Sequence, residues 1–363
     1  MKKVAIVQRQ IPHYRSSFFN SLGNELNNNG IKLKVFAGEV DSSQKFKEGL
    51  SKVKYAKKVK NYNFGKNIYW QNILNDLNNY DLVIVEQANS SLINYFLLLK
   101  RHFFKKSPKI AFWGHGKTLH RNSYYISSKI KQILSKKVDY WFAYTEMSKE
   151  ILNESGLEDS RISVVNNSHD VSEINEFYNK LSSNRKIKNK VIFCSRLYEN
   201  KALEFLIEGC EHARKEINDL NLLIIGDGPN KRKLEKIIRN KHWIEMKGAL
   251  FGIKKAKTLV DGDIFLMPSH VGLSILDGFA AGLPLLTSDF RNHCPEISYF
   301  KNNINGIMTN KNTKDYGEAI IRLLKNEKVL NKMSKEALKT AQNFSLEKMK
   351  INFVNGIIKA LKN

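Results

Sequence analysis

Residues 263–289 read DIFLMPSHVGLSILDGFAAGLPLLTSD, and few local structures accept that order. The apolar run 264–267 stops at Pro268. A short passage, His270-Val271-Gly272-Leu273-Ser274, then gives way to residues 275–281, whose apolar side chains recur at the spacing of one helical face. Gly282 and Pro284 end that helix, Leu285 and Leu286 restart a strand, and Thr287-Ser288-Asp289 close it. The pattern predicts strand, glycine-containing loop, helix, turn and strand, a βαβ unit of a parallel sheet. In an open α/β sheet, ligands bind at such loops. A lone Gly-Leu-Ser also suits an ordinary turn, so its meaning depends on the rest of the chain.

The rest repeats the pattern. Apolar runs bounded by polar residues fall at 4–7, 31–37, 81–86, 110–113 and 140–144, and again at 191–194, 222–225 and 244–247, as buried parallel strands do. Helices are expected at 18–26, from Ser90-Ser91 to about 104, from Ser148, and over most of the chain beyond Tyr316. Residues 45–60 are lysine-rich and weakly periodic, and read as a solvated loop with a ragged strand. At 363 residues the chain has room for two cores. The expected fold class is α/β, with two Rossmann-like, doubly wound parallel-sheet domains at 1–170 and 171–345, joined by the turn-rich residues 166–170. Where a dinucleotide fold places Gly-x-Gly-x-x-Gly, this chain has Ile11-Pro12-His13-Tyr14-Arg15, which excludes the nicotinamide and flavin fingerprint.

The 60 Lys and Arg against 35 Asp and Glu give a net charge of +25, which asks for an anionic partner. The excess is uneven. Residues 1–150 hold 26 basic and 10 acidic side chains, 151–300 hold 21 and 20, and 301–363 hold 13 and 5. At residues 100–106, KRHFFKK ends a helix. It fits cations that complement the helix dipole, and equally a basic-aromatic patch for anionic headgroups. Cys194, Cys210 and Cys294 show no Cys-x-x-Cys spacing, so reduced thiols and no metal site are expected. The first ten residues lack a signal peptide's apolar region, and no run approaches the roughly 20 residues of a bilayer span. A cytoplasmic chain is expected.

Two parallel-sheet domains facing across a cleft would both turn strand ends into it. From the second domain come Arg196 and Lys201 as fixed positive charges, Gly272, Leu273 and Ser274 opening a helix with free amides, and Asp277 one turn on, where a carboxylate can accept both hydroxyls of a ribose. Each alone suits a protein surface. Together they describe a nucleotide-diphosphate site. From the first domain, Gly114-His115-Gly116-Lys117 ends a strand with a histidine between two glycines, which let backbone approach a ligand.

These residues resemble glycosyltransferase family 4, retaining sugar-nucleotide transferases of the two-domain GT-B fold, over nearly the whole chain. The matching motifs are Ser195-Arg196-Leu197 with Lys201, Gly226-Asp227-Gly228-Pro229, Pro268-Ser269, Gly272-Leu273, Asp277, Ala280-Ala281-Gly282-Leu283-Pro284, Pro295-Glu296 and Asn305-Gly306. The resemblance implies that Arg196 and Lys201 hold the diphosphate, that residues 272–274 cap it, and that Asp277 binds ribose. It also implies that His115 contacts the sugar or the incoming hydroxyl and that His13, Tyr14 and Arg15 lie on the acceptor side. Residues 346–363 would form a helix crossing back to the N-terminal domain. The family's two glutamates eight positions apart fall here on Ser269 and Asp277, as in an envelope-polysaccharide subgroup that reads similarly through Val-Gly-Leu-Ser.

The implied reaction moves a hexose or N-acetylhexosamine, with retention and without metal or resident cofactor, from a uridine diphosphate sugar in preference to a guanosine one. The charge map points to a lipid-linked cell-envelope glycan as acceptor and to an enzyme peripheral on the inner, anionic face of the cell membrane. A sugar-nucleotide epimerase can use the same architecture. A basic nucleic-acid-binding protein is the other alternative; no recognition-helix or RNA-binding aromatic pattern supports it, and the charge avoids the best-formed site, so no nucleic-acid partner is expected.

Overall fold

Short apolar runs such as Val4-Ala5-Ile6-Val7 present side chains to both faces of a strand, and are stable only where both faces are covered. The computed structural model describes residues 1–39, 48–65, 68–104, 107–116, 136–180 and 187–362. Residues 45–47 of the lysine-rich segment, Lys105, Lys106 and Lys117 lie outside the described residues. Two compact units divide the chain, one of Met1–Asp170 with Leu346–Asn363 and one of Val171–Ser345.

The first unit holds strands β1 (Lys2–Gln10), β2 (Ile31–Gly38), β3 (Ala56–Lys58), β4 (Asn61–Phe64), β5 (Ile68–Gln71), β6 (Leu82–Glu86), β7 (Lys109–Gly114), β8 (Tyr140–Ala143) and β9 (Ile162–Val164). Seven of them form one parallel sheet in the order β3-β2-β1-β6-β7-β8-β9. Alternation along β1 sends Val4 and Ile6 to one face, where helices Ser16–Asn28 and Leu346–Lys362 supply Phe18, Leu22, Met349 and Phe353. It sends Ala5 and Val7 to the other, against Leu77, Ile93, Leu97 and Leu152. Phe353 stacks on Phe142 with ring centroids 4.6 Å apart. This places the last helix on the sheet that the first residues of the chain begin.

Strands β4 and β5 stand outside the sheet as an antiparallel hairpin, pairing Tyr62 with Trp70 and Phe64 with Ile68. The sequence reading passes over this hairpin, because its strands have four residues each and no Asn-Gly or Asp-Gly turn marks them.

The second unit holds β10 (Lys190–Cys194), β11 (Asn221–Ile225), β12 (Ile244–Gly248), β13 (Ile264–Leu266), β14 (Leu285–Ser288) and β15 (Gly306–Thr309). They form a parallel sheet in the order β12-β11-β10-β13-β14-β15. The order reverses between β10 and β13, as it does between β1 and β6 in the first unit. Each reversal opens a crevice at the C-terminal ends of two strands, the ligand-binding position of a doubly wound sheet. Among the described residues, no helix is long and apolar enough to cross a membrane.

Candidate functional site

The loop leaving β10 carries Arg196 and Lys201; the loop leaving β13 carries Gly272, Leu273 and Ser274 and leads into helix Ile275–Ala280, which carries Asp277. All six second-unit residues singled out from the sequence therefore lie on the two segments that border one crevice.

Close backbone packing shapes the first loop. Gly226 has φ 153°, and a Cβ on it would sit 1.9 Å from the carbonyl oxygen of Ser195; a Cβ on Gly228 would sit 2.5 Å from that of Leu197. Only glycine admits this approach. The Leu197 amide donates to Asp227 O at 3.0 Å and the Asn230 amide to Leu197 O at 3.1 Å, which pins the residues around Arg196. The Arg196 guanidinium lies 4.9 Å from the centre of the Tyr198 ring.

Lys201 is only 6% exposed, and its Nζ donates to the carbonyl of His270 at 2.6 Å, tying the β10 loop to the β13 loop. Burial pushes its pKa down to about 8, against the opposing fields of Cys294 and Glu296. At neutral pH it is mostly charged. His270 itself holds φ 49°, a left-handed conformation fixed by its neighbours.

Those neighbours include residues 292–294, which the sequence reading did not select. Ser269 Oγ lies 2.9 Å from both Asn200 O and Asn292 Oδ1, with one hydrogen to give. The His270 amide donates to Asn292 Oδ1, the Val271 amide donates to His293 Nδ1 at 3.1 Å, and the Cys294 amide donates to Val271 O at 2.8 Å. With Nδ1 accepting, His293 Nε2 is the protonated nitrogen and donates to Ser288 O at 2.9 Å; burial keeps its pKa low, consistent with a neutral ring. The buried Ser269 thus builds the loop. Within the described residues the amides of Gly272, Leu273 and Ser274 donate no hydrogen bond, as the first amides of a helical turn do not, and the three residues are partly exposed. On the β10 loop, Asn200 Oδ1 is buried with no hydrogen-bond partner among the described residues.

Asp277 is buried and forms an ion pair of 2.7 Å with Lys255, on helix Gly252–Val260. Burial alone would lower the Lys255 pKa, but Asp277 and then Cys194 carry it above its ordinary value. No motif signals Lys255, because its lysine-rich helix looks like a solvated face.

In the first unit, His115 follows β7 and its ring meets that of Tyr144 edge-on, centroids 4.4 Å apart. Gln87, just after β6, clamps the turn: its Oε1 accepts from the Gly116 amide and its Nε2 donates to Gly116 O, both at 3.0 Å. Arg15 is buried. It donates to Asn167 Oδ1 at 2.6 Å and to Ser168 O at 3.3 Å, and lies 5.1 Å from the Trp113 ring. It fastens residues 167–168 to the first unit, while His13 and Tyr14 beside it are more open, Tyr14 meeting His169 edge-on. Glu86, also missed, ends β6 at the switch point, and among the described residues its carboxylate accepts a long 3.5 Å hydrogen bond from the Arg9 amide. Burial pushes its pKa up to about 7, against that bond and the charges of Arg15 and Arg9. A separate groove lined by Lys180, Lys190, His242, Trp243 and Lys247 opens at the N-terminal ends of β10 to β12, the wrong edge of the sheet for the ligand crevice.

Similarity to known proteins agrees with this geometry. An uncharacterized glycosyltransferase of Methanocaldococcus jannaschii is 24% identical over 270 residues, 69% of this chain and 67% of that protein. The alpha-monoglucosyldiacylglycerol synthase of Acholeplasma laidlawii is 28% identical over 152 residues, 40% of this chain but only 37% of that protein. The crystal structure of Anabaena Alr3699/HepE in complex with UDP superposes with a TM-score of 0.71, at 13% identity, over 99% of this chain and all of the other. That likeness is one of fold: two Rossmann-like domains of the GT-B kind. Residues 188–326, which hold both crevice loops, match the family model described as glycosyl transferases group 1. The similarity to the glycosyl transferases group 1 family thus lies in the second unit of this chain.

Proposed function

We propose that this chain is a retaining glycosyltransferase that moves a hexose or N-acetylhexosamine from a uridine diphosphate sugar to a lipid-linked cell-envelope glycan, working on the anionic inner face of the cell membrane. The observation that carries the donor half is Lys201, a buried ammonium held beside three unbonded amides at a sheet switch point. Such a site suits an anion with two phosphates. The UDP in the superposed Anabaena structure supports the choice of base, and the diacylglycerol product in the name of the Acholeplasma relative supports a lipid acceptor.

In this reading Arg196 and Lys201 take the diphosphate oxygens, the amides of residues 272–274 cap the β-phosphate, and Asp277, oriented by Lys255, accepts the ribose hydroxyls. Breaking the anomeric C–O bond puts negative charge on the β-phosphate. Cations and amides already in place stabilise that charge more in the transition state than in the ground state, so neither a resident cofactor nor a metal is needed. His115, held between Gly114 and Gly116, contacts the sugar or the incoming hydroxyl; His13 and Tyr14 belong to the acceptor side, with Arg15 holding their backbone.

A thermal-shift screen against nucleotide diphosphates, followed by NMR of the product's anomeric configuration, tests the reading. UDP should raise the melting temperature and Arg196→Ala should abolish the rise. Conversion of the free nucleotide sugar with no acceptor present would instead identify an epimerase. His115→Ala should lower turnover without changing UDP affinity; equal loss of both would remove His115 from the reacting centre.

A further inference from the structure

Helix Leu92–Phe103 has two apolar faces. Ile93, Leu97 and Leu98 are buried against the first sheet, whereas Phe96, Leu99 and Phe103, at spacings of three and four, point to solvent and are 51% to 71% exposed. An amphipathic helix of a globular domain needs only the first of these stripes. The second continues sideways: Phe96 packs edge-on against Trp70 of β5, ring centroids 5.1 Å apart. From Trp70 the same face of the hairpin runs on through Tyr62, Phe64 and Ile68, because Tyr62 pairs with Trp70 and Phe64 with Ile68. On the opposite face the β5 residues Tyr69 and Gln71 are buried. With Phe104, also exposed, these make seven of the fourteen large apolar side chains exposed among the described residues. Such a contiguous patch marks an interaction surface.

Charge selects the partner. Residues 49–75, which include the hairpin, contain six lysines and no acidic residue, and residues 87–138, which include the helix, contain eleven Lys and Arg and none; of these, Lys57, Lys58 and Arg101 pair with Asp76, Glu39 and Asp139. Lys60 lies over the Tyr62 ring at 5.0 Å, and Lys100 caps the outer stripe, bonded to Asn78. Two copies of so basic a stretch of chain repel each other. A nucleic acid would satisfy the charge but offers no apolar phase to Leu99 and Ile68. An anionic bilayer satisfies both, taking aromatic and aliphatic side chains at the headgroup boundary while lysines meet the phosphates.

We propose that one face of the β4–β5 hairpin and the outer stripe of helix Leu92–Phe103 form a docking surface for anionic lipid. This deepens the peripheral-membrane part of the function proposed above, and is independent of the donor site.

The test uses the full chain, co-sedimented with phosphatidylcholine vesicles with and without phosphatidylglycerol. Phosphatidylglycerol should raise partitioning about tenfold or more at low salt, and added salt should reverse the gain. Phe64→Ser, Phe103→Ser and Phe104→Ser combined, all at exposed positions, should lower partitioning about tenfold with the melting temperature and the UDP-induced shift unchanged. Lys60→Glu with Lys100→Glu should remove the preference for the anionic vesicles. The proposal is overturned if the wild type fails to bind them at low salt, if the triple variant binds as well as the wild type, or if the patch instead drives dimerisation or oligonucleotide binding that the triple variant abolishes. Absence of a UDP shift in a chain that still binds vesicles would overturn the donor-site reading and leave the docking surface standing.

Discussion

Raising the pH from 7 to 9 should weaken UDP binding by about tenfold, because the ammonium of Lys201 is lost in that window. Burial holds its pKa at about 8 in the free protein. Roughly nine-tenths of the molecules then carry the charge at pH 7 and one-tenth at pH 9, a difference of about 1.4 kcal/mol per pH unit once the lysine titrates. Bound diphosphate raises the same pKa, so affinity is flat below about 8 and falls above it. Folding stability has the related dependence. A lysine whose folded pKa lies below its unfolded value costs stability while it is charged in the native state, and that cost is relieved as pH rises from about 8 toward the unfolded value. Isothermal titration calorimetry with UDP at constant ionic strength measures the effect, with Lys201→Arg as the control. Arginine stays charged throughout and carries the same titration of the uracil ring. Equal losses in the two proteins, or no loss in the wild type, would refute the assignment of Lys201 to the diphosphate.

Other perturbations separate the groups of the site. Arg196→Ala should weaken UDP by about 1.5–3 kcal/mol, the range of a charge-assisted hydrogen bond, without lowering the melting temperature of the free protein. Gly226→Ala forces a Cβ against Ser195 O in a left-handed backbone and should destabilise the fold by about 3 kcal/mol in urea unfolding; a variant as stable as the wild type would show that the β10 loop is not held by that turn. Asp277→Asn leaves Lys255 facing an amide and should cost about 1–3 kcal/mol, discounted for the partial exposure of the lysine. A double-mutant cycle with Lys255→Met should return a coupling above about 1 kcal/mol, and a value near zero would dissolve the pair. Glu86, with its pKa raised to about 7, disfavours the native state increasingly as pH rises from its unfolded value through 7. Glu86→Gln should therefore be neutral near pH 4 and stabilise the chain by about 3 kcal/mol at pH 8, read from thermal melts at the two pH values.

Much of this molecule is legible in one dimension. Short apolar runs predict parallel strands because burial on both faces leaves few alternatives. The order of residues from Pro268 to Pro284 predicts a loop and helix because Gly and Pro act locally on the backbone. The weaker predictions concern short or compensated features. Strands β4, β5 and β15 read NYNF, IYWQ and GIMT, where asparagine, glutamine, threonine or glycine leaves no apolar run of four, and Gly306 opens the last of them.

Roles of polar residues depend on contacts across long stretches of sequence. Arg15 looks like any surface cation until its hydrogen bonds to Asn167 and Ser168 and its place beside Met349 show it fastening the unit together. Ser269, where a glutamate is expected, is taken up by Asn200 and Asn292. Lys255 becomes the partner of Asp277, and His293 sets its tautomer to support Val271. The sequence by itself determined the fold class, the glycine-bearing loop of residues 268–274 and the residue types beside it, because local backbone preference and burial pattern are properties of neighbouring residues. Only the tertiary structure decided which of those polar groups are spent on the protein, because a buried charge or hydroxyl is defined by its partner, and these partners lie 22 to 334 residues away.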